Sequence, residues 1–397
     1  MQKLEKVLKY SVIVFFAAVL LLPLLTFHTE DSLVCLAENK KAEPLPKLSE
    51  YSLTDQALPQ AWDTYFSDRI GLKATCIRAK LTGFYRLFHK IEIPDYYLAE
   101  DGHVFCLTYS ILSAYCGMNG LSADEQAEFC AAFDEIARNA EERNVSVLFM
   151  PISNKEQIYP ELAPDSIHPS SGQSLMHSLR DSLIAGSSMP VVNADAALIA
   201  HKNDGELLYY RNIDPVHWNG YGAFWGYQAL METISKLDPS ISYLHPEDVE
   251  IKKEPCQDPL TYLSVRDIYP DLEDIRYTAI PKGGFHGASD KSTPAEFRRA
   301  NDPSDVYHHW HNDEACNDKT LLIYGDSYLY GSLMPLLSES FRDVYLLYYG
   351  YGVDVSQELF DLTSPDIVLL EAVERTFPNT ERLREIVSEW QEVFRPR

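Results

Sequence analysis

A serine at the exit of an apolar run is the first residue of this 397-residue chain whose setting suggests chemistry: Leu321-Leu322-Ile323-Tyr324 leads into Gly325-Asp326-Ser327. Glycine permits the tight turn, and a serine there stands at the carboxyl end of a strand. The N-terminus of a following helix would offer N–H groups to an oxyanion. Gly-Asp-Ser also serves as a plain turn and helix cap. A serine hydroxyl is a poor nucleophile at neutral pH, so the catalytic reading requires a histidine base and a group that orients it. Asp214-Pro215-Val216-His217-Trp218 offers both. Asp-x-x-His at the start of a helix lets the carboxylate turn back to Nδ1 and leaves Nε2 free for Ser327. Alone, the same segment reads equally as a capping Asp and a buried His.

Other polar residues surround these three in the expected fold. Asn154, Lys155, Glu374 and Arg375 fall at predicted strand ends on the edge that carries Ser327, where salt bridging and substrate contact are both open readings. Arg211, Trp218 and Tyr328 flank the candidate base and nucleophile and join them as candidate substrate contacts. His308, His309 and His311 form a cluster in what reads as an irregular surface loop. Histidines in such a setting are usually free of ligands, so neither a metal nor another cofactor is expected.

The elements that must position these groups alternate. Ser122-x-x-Glu125 opens a helix with Phe129, Phe133 and Ile136 at helical spacing. Strands are expected at Val145–Met150, Pro190–Asn193, Thr320–Tyr324, Val344–Tyr348 and Asp366–Glu371. Helices are expected at Gly222–Ile234 and Glu381–Phe394, the latter with Leu383, Ile386, Val387 and Trp390 on one face. Short apolar strands between amphipathic helices predict an α/β fold, a parallel sheet covered on both faces. Ligands of such sheets collect at the carboxyl ends of the strands. Residues 238–316 break the rhythm and read as a long irregular insertion over one edge of the sheet.

Tyr10 to Phe27 is an almost unbroken apolar run, preceded by Lys3, Lys6 and Lys9 and followed by Glu30 and Asp31. Its length spans a bilayer and the lysines predict an inside N-terminus. A cleaved signal peptide is the other reading; either way the body lies outside the cytoplasm. The expected division is an anchor over 1–28, a linker over 29–60 with Pro44, Pro46 and Pro59, and a domain over 61–397. A net charge of −25 without a basic stripe excludes nucleic acid as a partner. Seven cysteines, at 35, 76, 106, 116, 130, 256 and 316, form no CxxC pair. Cys256 and Cys316 bracket the irregular stretch and are placed to staple it.

Six blocks, in order, resemble the alginate O-acetyltransferases of the AlgX/AlgJ type and their DHHW-motif relatives, within the SGNH hydrolase superfamily. They are Trp62-Asp63-Thr64-Tyr65-Phe66-Ser67-Asp68-Arg69; Glu100-Asp101-Gly102-His103-Val104-Phe105; Pro151-Ile152-Ser153-Asn154-Lys155 with Ile158-Tyr159-Pro160-Glu161; Tyr209-Tyr210-Arg211 through His217-Trp218 to Gly222-Ala223; Gly325-Asp326-Ser327; and Pro365-Asp366-Ile367-Val368 through Glu374-Arg375. The resemblance spans about residues 60–380. It implies an SGNH-hydrolase-like (flavodoxin-like) domain with Ser327 as nucleophile, His217 as base and Asp214 as its orienting acid. The family has one residue between Asp and His where this chain has Pro215 and Val216, so Asp214 is the less secure of the three. Asp305-Val306-Tyr307-His308-His309-Trp310 repeats the family's His-His-Trp letters but lacks the Tyr-Tyr-Arg before and the Gly-Ala helix after.

The resemblance further implies transfer of an acetyl group through a serine ester to hydroxyls of an extracytoplasmic polysaccharide. A multi-pass membrane acyltransferase would supply the acetyl group, and the N-terminal helix would hold the chain in the cytoplasmic membrane beside it. An SGNH acetylesterase and a non-catalytic glycan-binding or assembly protein are the alternative readings. Longer members of the family add a carbohydrate-binding module, for which no room is expected after the last helix.

Overall fold

The computed structural model describes residues 2–30, 34–35, 40–51, 56–93, 95–163, 167, 172–256, 273–286, 289–291, 307–329, 331–348 and 357–395. Two compact units share the chain: Met1–Pro94 with Gln257–Leu272, and Asp95–Cys256 with Glu273–Arg397. In the first, helix α1 (Gln2–Leu25) includes Lys6–Leu25, with a mean hydropathy of 2.3 and no buried residue. Twenty residues at about 1.5 Å each cover the roughly 30 Å of a bilayer's hydrocarbon core. A short pair, β1 (Val34–Cys35) and β2 (Lys40–Lys41), precedes helices α2 (Ala57–Arg69) and α3 (Lys73–Phe88). Part of the stretch expected as linker is held in place: Asp68 Oδ2 accepts from the Glu43 N–H at 3.1 Å, and the buried Arg69 donates to the Glu43 carbonyl.

The second unit opens with a hairpin of β3 (Tyr96–Leu98) and β4 (Val104–Cys106). Helices α4 (Tyr109–Tyr115) and α5 (Ala123–Glu141) follow, then strand β5 (Ser146–Ile152), helices α6 (Lys155–Ile158), α7 (Leu175–Gly186), α8 (Ala194–His201) and α9 (Gly220–Leu237). Next come strands β6 (Val249–Cys256), β7 (Asp274–Pro281), β8 (Ser289–Lys291), β9 (Tyr307–His311) and β10 (Asn317–Gly325). Helix α10 (Met334–Ser340), strand β11 (Phe341–Tyr348), helix α11 (Gln357–Thr363), strand β12 (Ile367–Val373) and helix α12 (Thr380–Val393) complete it.

The central sheet has the order β5-β12-β10-β11-β9-β8. The first four strands run parallel, and β9 and β8 join antiparallel at one side. Side chains alternate between faces along a strand. Leu321, Ile323, Leu369 and Met150 therefore enter one core, with Phe224, Tyr227 and Met231 of α9. Leu322, Tyr324, Leu370 and Phe149 enter the other, with Phe133 of α5 and Trp390 of α12. Both faces are covered, which is why these strands read as unbroken apolar runs. Helix α5 starts at the expected capping box: the Ser122 N–H donates to Glu125 Oε2 at 2.9 Å, and the Glu125 N–H donates back to Ser122 Oγ at 3.4 Å.

Three features differ from the reading of the sequence. Pro190–Asn193 contributes one bridge, Phe149 to Val191, rather than a strand. The stretch 238–316 holds the antiparallel ribbon of β6 and β7 and two strands of the main sheet. Its described strands alternate apolar residues only over short spans, such as Ile275, Tyr277 and Ala279 of β7, and are interspersed with charged residues. Cys256 and Cys316 are both free thiols, the first buried at the end of β6 and the second exposed ahead of β10, and no staple joins them.

Trp390 is fully buried, with ring centroids 6.1 Å from both Phe133 and Phe149. Trp390→Ala is expected to cost about 3–5 kcal/mol of stability, read from the urea midpoint followed by circular dichroism.

Candidate active site

Strand β10 ends at Gly325 because nothing larger fits: an added Cβ would lie 2.7 Å from Leu329 Cδ1 and 2.8 Å from Glu371 Oε2. The next residue pins the turn. Asp326 is buried, its Oδ1 accepts from the Tyr328 N–H at 2.9 Å and its Oδ2 from the Val373 N–H at 3.1 Å. Its own N–H donates to Glu371 Oε2 at 2.8 Å. Ser327, partly exposed, stands on a loop tied at three points to β12 and to itself. Ser327–Leu329 form a turn, and the first described helix after them begins at Met334. The helix N-terminus expected beside the serine is therefore absent from the described residues.

His217, the base expected from the sequence, lies on the loop before α9. Asp214 Oδ1 accepts from the Val216 N–H at 3.0 Å and the His217 N–H at 3.1 Å, a side-chain-capped turn for which Pro215 presets φ. This turn absorbs the extra residue between Asp and His. Asp214 Oδ2 is left 2.8 Å from His217 Nδ1, and His217 Nε2 lies 2.8 Å from Ser327 Oγ. Burial alone would raise the Asp214 carboxyl, but its bonds to the His217 ring and to the two N–H groups hold it below the usual range. Asn219 then caps α9, its Oδ1 accepting from the Tyr221 and Gly222 N–H groups at 2.9 and 3.1 Å. Behind the loop, Asp274 at the start of β7 accepts from the Asn212 and Ile213 N–H groups at 2.8 and 3.1 Å.

Two side chains fasten the loop to the turn. Trp218 Nε1 donates to the Tyr328 carbonyl at 2.9 Å, and the Tyr328 hydroxyl donates to the Val216 carbonyl. The Tyr328 ring lies 5.1 Å from that of His217, with the Arg375 guanidinium 5.1 Å above it. Helix α9 leaves room for the indole through Gly226, where a Cβ would come within 2.7 Å of Trp218.

Asp214, His217 and Ser327 are thus brought together. Of the residues proposed from sequence for substrate contact, Trp218, Tyr328, Asn154, Lys155 and Glu374 are each at most 2% exposed. Lys155 Nζ donates to the Val104 and Arg211 carbonyls at 2.7 and 3.0 Å, and burial lowers its ammonium to about 8. Asn154 Nδ2 donates to Glu374 Oε2 at 3.1 Å. These five form the floor under the site. Arg211 is exposed, whereas the Arg375 guanidinium lies over the buried Tyr328 ring with its Nη1 enclosed. His309 lies elsewhere: it sits on β9, bonded to Asp343 near the amino end of β11, whereas Gly325 pairs with Tyr348 at the carboxyl end.

Reading the sequence missed Asp326, taken only as a letter of the turn, Glu371, and Asp274; a lone acidic residue inside the apolar strand Ile367–Val373 is the signal for Glu371. It also missed the cavity of about 230 Å³ lined by Ser153, His177, Arg180 and Asp195. There Ser153 Oγ donates to Asp195 Oδ2 at 2.6 Å and accepts from His177 Nε2 at 2.8 Å, the reverse of the polarity that a nucleophile requires.

Residues 118–263 match the family model of the SGNH hydrolase-like domain of the acetyltransferase AlgX. No curated protein matches the chain in sequence. Similar solved structures include Bacillus cereus PatB1 with a sulfonyl adduct, at 17% identity and a TM-score of 0.47, covering 65% of this chain and 92% of that one. A DHHW family protein from Eubacterium siraeum is 16% identical with a TM-score of 0.49, covering 75% and 97%. The O-acetyltransferase domain of Pseudomonas putida AlgJ is 16% identical with a TM-score of 0.47, covering 75% and 99%.

Burial, and then the charge of Asp326, raises the Glu371 carboxyl well above its ordinary range. Ionising it in the folded state is unfavourable, so its contribution to stability is lost as pH rises from the ordinary glutamate range toward the raised value. Glu371→Gln keeps an acceptor for the Asp326 N–H and cannot ionise. Its urea midpoint is expected to exceed that of the wild type by a margin that widens from pH 5 to pH 8; parallel curves would refute a neutral Glu371.

Proposed function

From the match of residues 118–263 to the AlgX SGNH hydrolase-like family model, we propose that the protein is an AlgX/AlgJ-like O-acetyltransferase that carries acetyl on Ser327 and passes it to a hydroxyl of an extracytoplasmic polysaccharide. The observation that supports this most is His217, held at 2.8 Å by Asp214 on one ring nitrogen and 2.8 Å from Ser327 Oγ on the other. Nε2 takes the hydroxyl proton as Oγ attacks the acetyl carbonyl. The Ser327 N–H, in the turn, is a donor for the resulting oxyanion. Collapse of the tetrahedral adduct expels the donor's leaving group, which receives the proton from His217. A sugar hydroxyl then gives its proton to Nε2 and attacks the acetyl-serine, and Asp214 stabilises the imidazolium formed in each half-reaction.

Helix α1 fits a role as anchor, which would keep the domain beside a multi-pass membrane partner that supplies acetyl. The exposed Arg211 fits an acceptor that carries carboxylates.

Ser327→Ala and His217→Ala are expected to fold normally and lose more than about 10³-fold in acetyl turnover. Asp214→Asn retains the turn through its Oδ1 but offers Nδ1 the wrong partner, and is expected to lose about 10³–10⁴-fold through kcat. Assays of acetyl-ester cleavage, with circular dichroism as the folding control, check both.

A transferase and an esterase share every residue above and differ in what attacks the acetyl-serine. The detergent-solubilised chain should release acetate slowly from a small activated acetyl ester. Addition of a matching oligosaccharide should raise turnover and place acetyl on the sugar, followed by mass spectrometry. Rapid acetate release with no acetylated sugar across a panel of acceptors would replace the transferase reading with the esterase.

A further inference from the structure

At the other end of the sheet from Ser327, three side chains that can ligate a metal converge: the donor atoms of His309, His311 and Asp343 all lie within 4.8 Å of one another. His309 and His311 are two apart on β9 and so share a face, and Asp343 on β11 is the cross-strand partner of His311. His309 Nε2 and His311 Nδ1 each lie 2.8 Å from the same oxygen, Asp343 Oδ1. The other Asp343 oxygen lies 3.5 Å from Arg342 Nε, which leaves Oδ1 for the convergence point. Both rings are oriented from outside. Tyr345 stacks on His309 with centroids 4.1 Å apart and planes at 17°, and Asp313 Oδ1 lies 3.0 Å from His311 Nε2.

We propose that His309 Nε2, His311 Nδ1 and the Asp343 carboxylate bind a divalent first-row transition-metal ion, with Zn²⁺ as the type ion. Two imidazoles and one carboxylate favour such an ion over Ca²⁺ or Mg²⁺, which take oxygen ligands. The ion replaces the ring protons that now point at Oδ1, and those protons leave to solvent. The His311 Nε2–H donates to Asp313, a carboxylate–histidine–metal relay that fixes the tautomer. Water completes the coordination. In the loop expected from sequence these histidines had no common face; on β9, with β11 beside it, they do.

The site is remote from the proposed chemistry. Asp343 pairs with Thr320, five register positions before the Gly325–Tyr348 pair, which is about 16 Å along the strands. Its ion joins antiparallel β9 to the parallel part of the sheet and takes no part in acetyl transfer.

The test is calorimetric titration of the full-length, EDTA-stripped chain in detergent with ZnCl₂, together with the ligand-field spectrum of the Co²⁺ form. One ion per chain is expected, with a rise in Tm on loading. His309→Ala and His311→Gln should weaken binding at least 100-fold and abolish the Co²⁺ bands. Asp313→Asn, which leaves the ligands in place, should weaken it about 10-fold. Ser327→Ala should bind as the wild type does. No saturable uptake of Zn²⁺ below millimolar concentration, or equal uptake by folded His309→Ala and His311→Gln, would overturn the proposal and leave the three as a hydrogen-bonded cluster.

Discussion

One imidazole must meet a carboxylate and a hydroxyl that lie on different parts of the chain, and most of the structure around Ser327 answers that demand. His217 has little freedom of its own. Its backbone N–H is held by Asp214, the carbonyl of the residue before it accepts from the Tyr328 hydroxyl, and the indole after it is bonded to the Tyr328 carbonyl. Tyr328 is also the residue after the serine. A rigid aromatic thus spans the gap between base loop and nucleophile turn, and each positions the other. A misplacement of about 1 Å at such a junction costs roughly two orders of magnitude in rate, which explains why so much bonding is spent on it.

The polar groups beneath the site are buried at a cost that their hydrogen bonds offset. Asp326 is satisfied by N–H groups from its own turn and from β12, while burial and the neighbouring Asp326 charge raise the Glu371 carboxyl well above its ordinary range. Lys155 gathers carbonyls from β4 and from the loop at Arg211, so its charge links the hairpin to the segment that leads into His217. Leaving any of these groups unpaired would cost more than the bond itself contributes. These bonds tie β4, β12 and the turn that carries Ser327 to the segment that leads into His217.

The antiparallel ribbon and edge strands between residues 249 and 311 change how the domain is understood. Asp274 in the ribbon holds the backbone just before Asp214, so a stretch that reads as peripheral reaches the base loop directly. Strand β9 extends the sheet past its parallel core and closes the exposed side of β11.

What the sequence alone determined is what local pattern can specify. Apolar runs such as Leu321–Tyr324 and Ile367–Leu370 had to be doubly covered strands, Ser122-x-x-Glu125 had to start a helix, and Gly325 had to end a strand at Ser327. The pairing of Asp214 with His217 was also legible, because both ends lie within one turn of chain. Tertiary structure decided the rest, since it depends on contacts across more than a hundred residues. It showed that the extra residue in the Asp-to-His spacing is taken up by a capped turn. It turned Lys155, Trp218 and Tyr328 from surface contacts into buried supports. It also made a strand of the His-rich segment, because Tyr307–His311 carries no apolar period and is recognisable only from β11 and β8, to which it is bonded.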